Sequence, residues 1–129
     1  MYKEYIELYK TYTQKYGSKT AIFLMVGSFY ELYDIQDNET GTTQCNVREI
    51  TDLLGIQLSV RKAEIDKDKD GLFAGFPDYV LHKWAGRLTS AGWTVVIVDQ
   101  IKDVKGKVKE RKVSRILSPS THVENIPST

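Results

Sequence analysis

The chain is predicted to fold as an α/β domain: a mixed β-sheet flanked by helices. Three observations carry that expectation. Runs that read as strands alternate with stretches of helical period, the pattern of strands and helices stacked in layers. Thr94-Val95-Val96-Ile97-Val98 is apolar on both faces, which suits an interior strand covered on both sides. A basic segment around Lys105-Gly106 reads as a hairpin, adding antiparallel pairing to the sheet.

Tyr5, Leu8, Tyr9, Tyr12 and Tyr16 recur at helical spacing, and Gly17 supplies a C-terminal stop. This first helix should pack its tyrosine-rich face on the sheet. A strand follows near Ala21–Val26, breaks at Gly27-Ser28, and restarts as a second extended segment over Phe29–Tyr33. Asp37–Gln44 is polar and reads as a loop. Val47, Ile50, Leu53 and Leu54 trace a short helix ending at Gly55. Ile56-Gln57-Leu58-Ser59-Val60 alternates with period two, a half-buried strand, and Lys62–Gly71 reads as a charged loop. A short strand is expected over Leu72–Phe76. Pro77-Asp78 then opens a helix, with Asp78 as N-cap and Val80, Leu81, Trp84, Ala85 and Leu88 facing inward. Gly92 ends it before the apolar strand. The basic hairpin's second arm runs to Leu117. Residues 1–118 are expected to form the domain, and 119–129, with little to bury, a linker.

Composition sets the broad class. With 41% hydrophobic and 27% charged residues among 129, the chain is an ordinary globular one, long enough to bury a core. No apolar run approaches the roughly 20 residues of a membrane span, and no signal-peptide pattern opens the chain. Cys45 is the single cysteine, so no disulfide framework exists and an intracellular setting is expected. The net charge of +1 hides an asymmetry. Residues 1–60 carry 5 Lys/Arg against 8 Asp/Glu, and residues 61–129 carry 13 against 9. The excess is densest at Lys105, Lys107, Lys109, Arg111, Lys112 and Arg115. Such a stripe suits phosphate contacts, and equally an edge hairpin whose lysines discourage aggregation.

Several catalytic patterns fail on inspection. Asp66-Lys67-Asp68-Lys69-Asp70-Gly71 matches the first half of a calcium loop, but Pro77 occupies the position of the closing carboxylate. A solvated hairpin tip is the better account. Pro77-Asp78 with Glu110-Arg111-Lys112 superficially resembles a PD…ExK metal-nuclease pattern, in which two carboxylates hold Mg²⁺. Asp78 is better explained as a helix cap. There is no Gly-x-Ser-x-Gly elbow, His82 and His122 lack evident partners, and Gly106-Lys107 lacks the rest of a phosphate loop. No catalytic site is visible.

The most informative stretch is Ile22 to Asp34. Phe29 and Glu31, two residues apart in extended backbone, project from one face. An apolar wedge beside a carboxylate can pry into a base stack and read an exposed base. The same alternation also fits a core aromatic beside a solvated edge charge.

Gly27-Ser28-Phe29-Tyr30-Glu31-Leu32-Tyr33-Asp34 resembles the Gly-Asp-Phe-Tyr-Glu-Leu-Phe signature of the MutS family of DNA mismatch-repair proteins. Four further blocks are similar in order: Leu58-Ser59-Val60-Arg61; Phe73-Ala74-Gly75-Phe76-Pro77, against Met-Ala-Gly-Ile-Pro; Val95 to Gln100, ending Asp99-Gln100 against Glu-Gln; and Glu110 to Pro119, against Glu-Arg-Lys-Val-x-Arg-x-x-Thr-Pro. The likeness is to the N-terminal mismatch-recognition domain, domain I. It implies that Phe29 stacks on a mispaired base from the minor groove and that Glu31 hydrogen-bonds the base. Gly27 and Ser28 would allow close approach of backbone to DNA, while Arg61, Phe73, Arg111 and Lys112 would make neighbouring contacts. Tyr30 would be structural. The implied partner is double-stranded DNA with mispairs or small loops. The domain would be non-catalytic, monomeric and without cofactor; ATP, Mg²⁺ and dimerisation belong to regions of a longer parent. Ser28 for Asp, Phe73 for Met and Ser120 for Gly depart from the pattern at accessory positions only. The readings left beside this one are a structural or protein-interaction domain and, behind it, the nuclease.

Overall fold

The computed structural model describes residues 1–119. Its elements are α1 (Tyr2–Tyr16), β1 (Thr20–Val26), β2 (Phe29–Asp37), α2 (Val47–Leu54), β3 (Ser59–Asp66), β4 (Lys69–Pro77), a 3-10 turn (Asp78–Val80), α3 (Leu81–Ser90), β5 (Thr94–Lys102) and β6 (Val108–Leu117). The strands form one six-stranded sheet in the order β3-β4-β2-β1-β5-β6. β1 and β5 are parallel, and every other neighbouring pair is antiparallel. The mixed sheet of the α/β reading is present.

Both faces of β1 and β5 are buried, as their unbroken apolar runs require. On one face α1 brings Tyr2 and Tyr5 edge-on to Tyr33, at ring separations of 5.1 and 6.1 Å. On the other, Phe23, Tyr30 and Phe76 form an aromatic cluster. α2 and α3 cover this side and are joined where Arg87 donates to the Leu54 carbonyl. Gly55, at φ 70°, takes the left-handed conformation that stops α2. No helix among the described residues is long and apolar enough to cross a membrane.

The structure corrects the expected elements in three places. The Lys62–Gly71 loop is the continuation of a β3–β4 hairpin, whose strands pair out to Asp66 and Lys69. Its charges hid the strand because β3 is an edge that buries almost nothing, and an exposed charged edge resists further pairing. The same hairpin occupies the supposed calcium loop, and Asp70 turns inward to accept the Ala63 N–H at 2.8 Å. Ile56–Leu58 precede β3 instead of opening it. Asp78 makes no capping side-chain bond; a 3-10 turn separates it from α3. Of the 119–129 linker only Pro119 is described; Ser120 and His122 lie outside the described residues.

The ladder between β1 and β2 is short, joining Leu24–Val26 to Phe29–Glu31. Beyond it, other groups tie the layers together. The Tyr5 hydroxyl donates to the Ile22 carbonyl at 2.9 Å. Asp34, wholly buried, accepts the N–H groups of Ile35, Gln44 and Cys45 at 2.7, 3.1 and 2.8 Å. One carboxylate thereby fixes the approach of the chain to α2.

Asp34→Ala should lower stability by about 2–3 kcal/mol in chemical denaturation, because buried donors lose a charged acceptor. Burial raises the Asp34 pKa despite those bonds. The folded state then holds the proton more tightly than the unfolded one. The proton-linked part of its contribution is therefore greatest below the ordinary carboxylate range and is lost as pH rises through that range and above it, while its three accepted hydrogen bonds remain. Asp34→Asn should remove that part of the pH dependence of the denaturation midpoint.

Candidate nucleic-acid interface

Val26 pairs with Phe29 across the two-residue turn Gly27-Ser28. Gly27 has φ 63° and Ser28 does not share the positive φ, the pattern of a type II′ hairpin, which calls for glycine at its first central position. Three contacts hold this turn. The Gln100 side chain accepts from the Gly27 N–H at 2.8 Å and donates to the Gly27 carbonyl at 3.0 Å. The Asp78 N–H donates to the Ser28 carbonyl at 2.8 Å. Just before the turn, Arg111 Nε donates to the Met25 carbonyl at 2.8 Å.

The pleat then sorts the next residues. Tyr30 is only 3% exposed, seated against Phe23 and Phe76. Its hydroxyl donates to Asp99 Oδ1 at 2.6 Å, and Ser114 Oγ donates to Asp99 Oδ2 at 2.6 Å. Burial, then the Asp99 hydrogen bond, push the phenol well above its usual pKa. With Tyr30 locked inward, Phe29 and Glu31 must face the other way. Phe29 is 43% exposed at the first position of β2.

Glu31 is half-buried, and its Oε1 accepts the Tyr33 hydroxyl. Across the ladder from Glu31 stands Gly75. A Cβ there would lie 3.3 Å from the Tyr30 carbonyl oxygen, a tight approach to backbone, and in ordinary contact at 3.5 Å with Glu31 Cγ. Phe73 pairs with Tyr33, their rings 5.3 Å apart, and the Arg61 guanidinium lies 4.6 Å from the Phe73 ring centre.

Register places the remaining candidates. Arg61 and Phe73 lie on the same sheet face as Phe29 and Glu31. Gln100 pairs with Arg111, and both reach the turn from that face. Lys112 pairs with Asp99 and so lies on the Tyr30 side, away from the other candidates. The structure thus groups Gly27, Ser28, Phe29, Glu31, Arg61, Phe73 and Arg111, and separates Lys112 from them. Arg111 spends Nε on Met25, leaving its terminal amino groups without a protein acceptor among the described residues. At the tip of the basic hairpin, Asp103 accepts the N–H groups of Lys105 and Lys107 at 2.9 and 3.0 Å. Among the described residues no group of three or more His, Cys, Asp or Glu side chains could hold a metal ion.

The sequence reading assigned no role to Tyr33, Asp99 or Gln100. A signal was present for the last two. A polar pair ending an otherwise apolar strand marks the point where the strand leaves the core.

Comparison with known proteins identifies the family. The family model described as MutS domain I matches residues 1–125. A mitochondrial DNA mismatch repair protein mutS homolog of Sarcophyton glaucum is 27% identical, covering 96% of this chain and 14% of its own length. A mutS homolog of Acanthamoeba polyphaga mimivirus is 31% identical over 98% of this chain and 11% of its own length. The DNA mismatch repair protein MutS of Persephonella marina is 31% identical over 81% and 11%, respectively. The chain therefore spans only about a tenth to a seventh of the length of these relatives. On the family match over nearly its whole length, and with the mixed sheet described above, the chain belongs to the MutS domain I family.

Proposed function

We propose that this domain recognises mispaired or looped double-stranded DNA by inserting Phe29 from the minor groove, with Glu31 hydrogen-bonding the unstacked base. The observation that carries this reading is the exposure of Phe29 at the corner of a turn held by Gln100, Asp78 and Arg111. A phenylalanine serving only the core would be buried, as Phe23 and Phe76 are. The matched relatives are named as mismatch-repair proteins, which supports the same partner.

Discrimination follows from energy. Bending a duplex site costs on the order of 1–6 kcal/mol, and unstacking a step adds a few more. Stacking on one aromatic ring returns roughly 1–3 kcal/mol. That return does not offset the kinking of sound duplex, but it does where pairing is already weak. Phe29 thus tests deformability, and Glu31 adds a bond available only once a base is displaced. Gly27 and Ser28 bring backbone close to the DNA, and Arg61 and Arg111 flank the wedge as phosphate contacts. Lys112, on the other face, is left to nonspecific attraction.

In this reading the domain is a non-catalytic intracellular reader without its own cofactor. It occupies residues 1–118, with 119–129 leading away. ATP and Mg²⁺ would act elsewhere in a longer, dimeric parent. By itself the domain is expected to be monomeric and to bind in the nonspecific range, roughly 10⁻⁴–10⁻⁶ M.

An NMR titration with a matched duplex and the same duplex carrying one G·T mispair tests this. Shifts at Ser28–Glu31 should appear only with the mispair. Phe29→Ala should weaken mispair binding by about 1–3 kcal/mol and leave matched-duplex affinity unchanged. Equal shifts with both duplexes, confined to Lys105–Arg115, would reject the wedge. Gln100→Ala, which removes no expected DNA contact, should cost the mispair about 1 kcal/mol, roughly fivefold, by loosening the turn.

A further inference from the structure

We infer that Tyr33 is a positioning residue for Glu31, holding Oε1 and leaving Oε2 of that carboxyl group, which no described residue contacts as a donor, to meet a base. The inference rests on the mismatch-reading role proposed above. The MutS signature carries Phe at this position, so the Tyr33 hydroxyl is an added donor on an otherwise similar ring.

Three observations carry it. The hydroxyl donates to Glu31 Oε1, and no described residue donates to Oε2. The Tyr33 ring cannot follow the glutamate. It is 6% exposed and wedged among Tyr2, Tyr5 and Phe73 at 5.1, 6.1 and 5.3 Å. Finally, no cation competes for the hold. The one ion pair among the described residues joins Lys69 to Asp37, and the nearby Arg61 is stacked over Phe73.

A free glutamate side chain samples many rotamers, and ordering it on binding costs affinity. Tyr33 orders it in advance, and preorganisation of this kind strengthens binding. The base then meets one oxygen in one place. With the Tyr33 hydroxyl on Oε1, Oε2 is the oxygen whose full hydrogen-bonding capacity stays open to a base, whether Glu31 accepts as a carboxylate or donates as an acid.

A double-mutant cycle tests the assignment, using wild type, Tyr33→Phe, Glu31→Ala and the double variant with G·T and matched duplexes. Tyr33→Phe keeps the ring, so the packing against Tyr2 and Phe73 survives. It should lower affinity for the G·T duplex about three- to tenfold, leave the matched duplex unchanged, and have no further effect once Glu31 is Ala. In the DNA-free protein, the ¹³C resonance of Tyr33 Cζ should move on Glu31→Ala, as the hydroxyl loses its acceptor. An equal loss in both backgrounds would overturn the assignment, since Tyr33 would then act independently of Glu31. A gain in affinity on Tyr33→Phe would also overturn it, by showing that the hydroxyl competes with the base. If wild type does not prefer the G·T duplex, the mismatch reading falls and takes this inference with it. Preference without coupling removes the Tyr33 assignment alone.

Discussion

The geometry of the candidate interface depends on the Gln100 amide, which satisfies both backbone groups of Gly27 across 73 positions of sequence. The parallel ladder between β1 and β5 ends at Leu24 and Val98. Beyond that point β1 would project from the sheet with its carbonyl and amide groups unpaired on the β5 side. Gln100 and Arg111 continue the pairing with side chains, one at Gly27 and one at Met25. The turn is thereby tied to β5 and β6 beyond the last pair of the parallel ladder.

The second constraint is the alternation of strand side chains. Tyr30 is committed to the core by two aromatic neighbours and by the Asp99–Ser114 hydrogen-bond chain. Its neighbours in sequence inherit the opposite face. Asp99 and Gln100, adjacent on β5, thus act on opposite faces of the sheet: one fixes the residue that faces in, the other the turn that presents the residue facing out. Gly75 belongs to the same scheme, since a Cβ there would press on the Tyr30 carbonyl across the ladder.

The electrostatic arrangement follows from register. Arg61 and Arg111, from the two edge strands, lie on the Phe29–Glu31 face, and Glu31 pairs with neither among the described residues. The exposed lysines of β6 add positive charge beyond this face.

The sequence alone determined the α/β class, most of the elements, the Phe29–Glu31 pair and the family resemblance. These rest on local properties: apolar period, glycine stops and the two-residue repeat of a strand. It misread Lys62–Gly71 because edge strands bury too little to show a pattern, and Asp78 because a cap and a turn share the same residue preferences. It could not separate Lys112 from Arg111, since which face of β6 adjoins the turn is fixed by pairing with β5. Tertiary structure alone decided that Phe29 is exposed while Tyr30 is buried, that Gln100 closes the turn, and that Tyr33 holds Glu31. The first depends on how far the covering helices reach along each face, since Tyr33, on the same face as Phe29, is buried under α1 while Phe29 is not. The Gln100 contact depends on sequence-distant strands meeting, and the Tyr33 contact on the side-chain conformation set by packing across three elements, none of which local pattern encodes.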